Sequence, residues 1–269
     1  MTTLAQPVGD LLRAWRQRRR MSQLDLACAA EISTRHLSFL ETGRAQPSRE
    51  MVLHLAEWLE VPLRERNVLL VAAGFAPVFA ERSLEDPALQ SARKAVDLVL
   101  AGHEPYPALA IDRHWTLIAA NRAVGRLIGG ADAALLQPPV NVLRLSLHPK
   151  GLAPRIANLH QWRAHLLARL RQQIEVSGDP TLAQLLRELS AYPPSRPAQT
   201  GQPDAGRGPV GVAVPLRLST HQGILSFIST TTVFGTPLDI TLSELALEAF
   251  FPADAPTADA LRRLAEPAN

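Results

Sequence analysis

The first 73 residues are punctuated so closely that only short helices fit between the signals. Val8, Leu11, Leu12 and Trp15 recur at helical spacing, which predicts a first amphipathic helix over residues 8–20. Ser22 followed by Asp25 is an S-x-x-D capping signature. The serine hydroxyl accepts from a first-turn backbone N–H, and the carboxylate reaches back to the serine N–H. It opens a second helix with Leu24, Leu26 and Ala27 expected inward. Ser33 caps a third, with Leu37 and Leu40 on its buried face, and Gly43 lies just past its end, where a left-handed residue is expected. Pro47-Ser48 starts a fourth helix (Met51, Leu55, Trp58, Leu59) and Pro62 a fifth (Leu63, Val68, Leu69, Val71). The expected fold of this region is a compact all-α bundle of five helices.

Charge adds a surface to that bundle. Residues 1–49 carry eight arginines (13, 16, 18, 19, 20, 35, 44 and 49) against four acids (10, 25, 31 and 41), a local surplus of four. The whole chain of 269 residues is only +3, so the remainder is close to neutral. A basic face confined to the helical region suits phosphate contacts. Arginine abundance alone carries less, because two lysines accompany 26 arginines, the bias of a GC-rich coding sequence.

The stretch LLRAWRQRRRMSQLDLACAAEISTRHLSFLETGRAQPSREMVLHLAEWLEVP resembles the lambda-repressor-like, XRE-family helix-turn-helix. Three motifs carry the resemblance over residues 8–73: S-Q-x-x-L-A at the start of helix two, L-x-x-L-E-T-G at the close of helix three, and the P-S that follows. It implies sequence-specific binding of double-stranded DNA, as a homodimer on a pseudo-palindromic operator. Helix three becomes the recognition helix, presenting Ser33, Thr34, Arg35, Ser38 and Phe39 to the major groove. There Arg35 would bind guanine O6 and N7, and Thr34 and Phe39 would touch a thymine methyl. Gln23 would donate to a phosphate at the start of helix two. Thr42 and Arg44 match backbone-contacting positions, and Arg16 and Glu41 match a structural ion pair. One residue departs from the pattern: Glu31 stands in the turn where glycine is preferred. A positive φ there costs glutamate on the order of 1 kcal/mol relative to glycine. The same helices would also build a bundle with no DNA role, but the conjunction of motifs and basic face favours DNA.

Residues 74–86 break periodicity, and Asp86-Pro87 reads as an N-cap and first helical residue. The helix that follows, to about residue 101, carries Leu89, Ala92, Val96, Val99 and Leu100 on one side and is expected to connect two domains. Beyond Pro105 and Pro107 the texture changes. Residues 108–111 and 115–119 read as strands about a turn, and Asn121 caps a helix with Val124, Leu127 and Ile128. Helices are expected near 155–176 and 180–191, then a Pro- and Gly-rich mobile loop over 193–209. Strands follow near 210–218, 223–233 and 236–243, the first two joined by the His221-Gln222-Gly223 turn. The expectation is an α+β domain built on an antiparallel sheet, with boundaries 1–82 for the helix-turn-helix domain, 83–103 for the linker helix and 104–269 for the second domain.

That order resembles a PAS fold. The segments NVLRLSLHPKGLAPRIANLHQWRAHLLARL and LSFISTTTVFGTPLDITLSELALEAFFPADA are similar to the MmyB-type ligand-binding domain that follows XRE-family helix-turn-helix domains, over about residues 104–252. The resemblance implies a sensory cavity, with a fatty acid or similar small apolar ligand as its occupant. Leu117, Leu127, Leu145, Trp162, Leu166, Phe227 and Phe234 are the expected lining, and Arg163 and His148 the candidates for a carboxylate at its mouth. No cofactor is required on this reading; a bound fatty acid is the candidate occupant.

Chemistry of other kinds finds little support. Of eight histidines none forms H-x-x-x-H, and His160 and His165 diverge around a helix, so no metal site is expected. G-x-S-x-G and P-loop motifs are absent, and the chain is not expected to be an enzyme. Cys28, the single cysteine, is expected to pack rather than to sense redox. With no apolar run of about eighteen residues, no membrane partner is expected, and the location is read as cytoplasmic, with the nucleoid. Two alternatives stand beside the ligand-responsive regulator. One is an enzyme using the C-terminal cavity, which a convergent acid, base or nucleophile there would favour. The other is a protein-interaction regulator with no small-molecule ligand.

Overall fold

The computed structural model describes residues 6–193 and 214–265, which fall into two compact units. A helical unit runs to Arg82 and includes Glu175–Gly178 and Thr236–Ser243; a sheet unit takes Ser83–Ile174, Asp179–Gly235 and the chain from Glu244. All but the first residue of the loop expected at 193–209 lies outside the described residues. No helix among the described residues is long and apolar enough to cross a membrane.

The helical unit holds α1 (Val8–Arg18), α2 (Gln23–Ala29), α3 (Thr34–Glu41), α4 (Arg49–Trp58) and α5 (Leu63–Ala72). The caps sit where the sequence places them. Ser22 Oγ accepts from the Asp25 N–H at 3.1 Å, while the Asp25 carboxylate accepts from the Ser22 N–H at 2.8 Å. Ser33 and Ser48 accept from the His36 and Met51 N–H groups, and Gly43 follows α3 at φ 71°. Leu12, Trp15, Leu26, Leu37, Leu40, Leu55 and Leu69 form the core. Gly9 lets α1 approach the end of α3, since a Cβ there would lie 2.4 Å from the Leu40 carbonyl oxygen.

Leu24, expected inward, points out at 60% exposure, and Trp58, Val68 and Val71, among the apolar residues read for the fourth and fifth helices, are also exposed. Leu24 and Leu26 are two positions apart on a helix, so burying one turns the other away. Cys28 is likewise exposed rather than packed.

The sheet unit opens with a 3-10 turn (Pro87–Leu89) capped by Asp86, which leads into α6 (Gln90–Gly102). Strands β1 (Ala108–Ile111) and β2 (Leu117–Ala120) precede α7 (Arg122–Leu127), α8 (Val142–Leu147), α9 (Leu159–Ser177) and α10 (Pro180–Ala191). Then come β3 (Leu216–Thr220) and β4 (Gly223–Val233). After α11 (Ile240–Ser243), which lies in the helical unit, β5 (Ala246–Pro252) and α12 (Ala255–Ala265) close the order. One antiparallel sheet results, ordered β2-β1-β5-β4-β3.

Buried Asn121 ties three elements of this unit together. Its carbonyl accepts from Ala108 and Val124 N–H groups, and its amide donates to the Leu100 and Tyr106 carbonyls. The last strand lies later than the sequence predicts. Leu238, Ile240 and Leu242 alternate as a strand would, but Asp239 Oδ1 accepts from the Thr241 N–H at 2.9 Å and starts α11 instead. Leu238 is left 85% exposed while Ile240 is buried. Helix α12 was not foreseen.

Candidate nucleic-acid interface and ligand cavity

The eight N-terminal arginines have separate jobs. Arg16 is buried and grips Glu41 through two bonds, Nε to Oε1 at 2.6 Å and Nη2 to Oε2 at 2.9 Å, with Nη1 on the Met21 carbonyl. Arg19 donates to the Leu59 and Glu60 carbonyls at 2.8 Å and so closes the C-terminal end of α4. The other six, at 13, 18, 20, 35, 44 and 49, are exposed. The basic face is therefore smaller than the raw count implies.

Of the residues predicted to meet DNA, three come together on α3 and the loop after it. The Arg35 and Arg44 guanidinium groups lie over the Phe39 ring, 5.3 and 6.0 Å from its centroid. Stacking of this kind restricts the arginine without consuming its N–H donors. Ser33 is exposed at the N-cap of α3, followed by half-buried Thr34 and, one turn on, half-buried Ser38. The Thr42 hydroxyl donates to the Ser38 carbonyl at 2.7 Å. The Gln23 amide donates to Glu41 Oε2 at 2.7 Å, which fixes it at the start of α2. Burial alone would push the Glu41 carboxyl up; bonds from Arg16 and Gln23, with the charges of Arg16 and Arg13, outweigh it and hold Glu41 below the usual range. Glu31 adopts φ 53°, the left-handed conformation expected of a glycine position.

The core of the sheet unit holds a part-open cavity of about 110 Å³. Six predicted residues line it: Leu117 on β2, Leu127 on α7, Leu145 on α8, Trp162 and Leu166 on α9, and Phe227 on β4. Phe234, His148 and Arg163 do not. Phe234 lies half-buried past the end of β4. His148 packs edge-on against Tyr192, 5.1 Å between centroids. Arg163 donates to the Leu189 and Ser190 carbonyls at 3.1 and 2.8 Å, closing the end of α10.

Sequence reasoning missed the polar part of the wall, which is Ser146, Arg169 and Glu248. Arg169 Nη1 donates to Glu248 Oε2 at 3.1 Å, and Nη2 donates to Glu248 Oε1 and, at 2.7 Å, to Thr231 Oγ1. The Arg169 guanidinium also lies over the Trp115 ring, 4.7 Å from its centroid. Trp115 holds φ 66°, an outlier for so bulky a residue, and its indole N–H donates to Gln173 Oε1 at 2.8 Å. Burial, then the Arg169 charge, hold the nearby His165 below the usual imidazole range. The available signal was Glu248 itself, a lone acid at an alternating position of the apolar run ALEAFF. Among the described residues no three of His, Cys, Asp and Glu gather closely enough to hold a metal ion. What remains is a largely apolar, part-open space whose one ion pair is already made.

A family model described as the MmyB-like transcription regulator ligand binding domain matches residues 92–264. A second, described as a helix-turn-helix domain, matches residues 7–69. No curated protein matches the chain.

Proposed function

The chain belongs to the family of MmyB-like transcription regulators and is a DNA-binding regulator, and we propose that a small apolar molecule in the sheet-unit cavity controls its grip on DNA. The observation that carries this reading is the cavity itself, walled by leucine, tryptophan and phenylalanine side chains from β2, α7, α8, α9 and β4. A fatty-acid-like chain is the class implied by the resemblance, and such a wall is what hydrocarbon needs. The PAS-like reading rests on two strands before the helices and three after them in one antiparallel sheet. An enzymatic role is disfavoured by the wall's chemistry. Arg169 and Glu248 hold each other, and the Ser146 hydroxyl accepts from the Trp162 indole N–H at 3.1 Å, the reverse of what an activated nucleophile needs.

On the DNA side, one recognition helix reads too few base pairs for useful specificity, so two copies on a pseudo-palindrome about one helical turn apart are expected. Arg35 reads a guanine and Gln23 a phosphate. Arg35→Ala is expected to cost roughly 1–3 kcal/mol at one base pair in each half-site. Site selection with the variant checks this, and an unchanged base preference overturns the assignment. Ligand control requires different ligand affinity in the DNA-competent and incompetent states. The experiment is a pair of titrations, an apolar ligand into stripped protein and then operator DNA with and without it. Binding that leaves DNA affinity unchanged leaves a structural lipid and no switch.

A further inference from the structure

Resting on the assignment of Arg35 to a guanine, we propose that Phe39 is a positioning residue for DNA recognition. Its ring is the platform that holds Arg35, with Arg44 beside it, ready for the groove, and it is not a reader of a thymine methyl. Local geometry brings the three together. Arg35 and Phe39 are four residues apart on α3 and so share a face. Past α3 the chain turns through Gly43 at φ 71°, and the Arg44 and Ala45 N–H groups both donate to the Phe39 carbonyl, at 2.8 and 3.1 Å. The ring therefore receives one arginine from its own helix and one from the loop, at 5.3 and 6.0 Å from its centroid.

The core does not account for this phenylalanine. Leu37 and Leu40 of α3 fill the core of the helical unit, whereas half-buried Phe39 is not among the described residues packed on it. Both arginines are exposed, and among the described residues neither makes a hydrogen bond or ion pair. A free arginine side chain has many rotamers, and binding must freeze them. A ring under the guanidinium removes part of that cost beforehand and leaves the N–H edge for guanine O6 and N7. The two roles differ in what can replace the ring. Leucine or methionine still touches a methyl group, but neither offers a π face to a cation.

The test uses the full chain as wild type, Arg35→Ala, Phe39→Leu, Phe39→Met and Phe39→Tyr. Each is put through site selection from randomised duplex DNA at fixed salt, with thermal unfolding to confirm its fold. Phe39→Leu and Phe39→Met are expected to lose about two- to fivefold of the guanine preference, at the base pair where Arg35→Ala loses it and nowhere else. Phe39→Tyr keeps the π face and is expected to retain that preference. With Arg35→Ala already in place, Phe39→Leu should cost no further discrimination at that pair. If Arg35→Ala relaxes the guanine but the ring-less variants change only a thymine position, or nothing, the platform role is overturned and the Arg35 assignment stands. A guanine loss that Phe39→Tyr shares overturns it equally. No effect of Arg35→Ala overturns both. Should one ring-less variant fail to fold, the other decides; if neither folds, Phe39 is a packing residue and the proposal falls.

Discussion

Arg16–Glu41 in the helical unit and Arg169–Glu248 in the sheet unit are the same chemical pair in different surroundings. The first is packed solid, with side chains only 10% and 1% exposed, and its spare groups are used by Met21 and Gln23. The second stands on a cavity wall, its arginine 28% exposed and leaning on an aromatic ring. A buried pair is weak evidence of net stability, because desolvation offsets most of the attraction, but removing one member of a fully enclosed pair is severe. The difference separates a lock from a lining. Glu41 joins the start of α2 to the end of α1 and α3, whereas Glu248 sets the polarity of a space that a ligand can enter.

Changing the same atom in both places breaks or sustains that comparison. Glu41→Gln is expected to cost about 3–5 kcal/mol, because Arg16 keeps its charge with nowhere to go. A large fall in the denaturation midpoint of the helical unit, together with weakened DNA binding, is the readout. The pair also gives a pH signature. Glu41 titrates lower in the folded chain than in the unfolded one. Its stabilisation is therefore complete above the ordinary glutamate range and drains away as pH falls through the folded value. Wild type should lose helical-unit stability on that acid flank, and Glu41→Gln should show a flatter profile there.

Glu248→Gln is expected to cost less, about 1–2 kcal/mol, because Arg169 is partly exposed and keeps Thr231 and Trp115. Thermal unfolding of the two variants side by side is the measurement. Equal losses would mean that the cavity-side pair is as much a lock as the other, and the contrast would fail.

The two units were also unequally legible. The caps at Ser22, Ser33, Ser48, Asp86 and Asn121 all lie where the sequence places them, because a cap is a local bond between near neighbours. Short-range alternation misled at Leu238–Leu242, where one aspartate's bond to the backbone outweighs the period. The cavity wall was half legible. Apolar residues such as Leu145 and Phe227 follow from helix and strand faces, but which cation turns inward is a tertiary matter. Arg163 and Arg169 sit on the same helix. The first reaches the free carbonyls at the end of α10, and the second meets Glu248 from a strand 79 residues away. Nothing in local spacing distinguishes them.

Backbone strain extends the contrast at smaller scale. Glu31 in the helical unit and Trp115 in the sheet unit both hold positive φ, at 53° and 66°. Trp115 is held there by a purpose-built set of bonds: Asp112 Oδ1 accepts from the His114 and Thr116 N–H groups, and Gln173 takes the indole N–H while donating to the Arg113 carbonyl. Replacing it would remove the ring that covers Arg169, so relief of strain cannot be collected separately. Glu31 is exposed, and its side chain is not part of the Arg16–Glu41–Gln23 network. Glycine at that position keeps the turn between α2 and α3, removes the left-handed penalty and returns part of the gain as extra freedom in the unfolded chain. Glu31→Gly is therefore expected to stabilise the helical unit by about 0.5–1 kcal/mol, read as a small rise in its denaturation midpoint. The same change removes one negative charge from the basic face, so DNA affinity should rise slightly at low salt and converge with wild type at high salt. A fall in stability would show that Glu31 does structural work at this turn, and the division between strain that serves a site and strain that serves none would have to be redrawn.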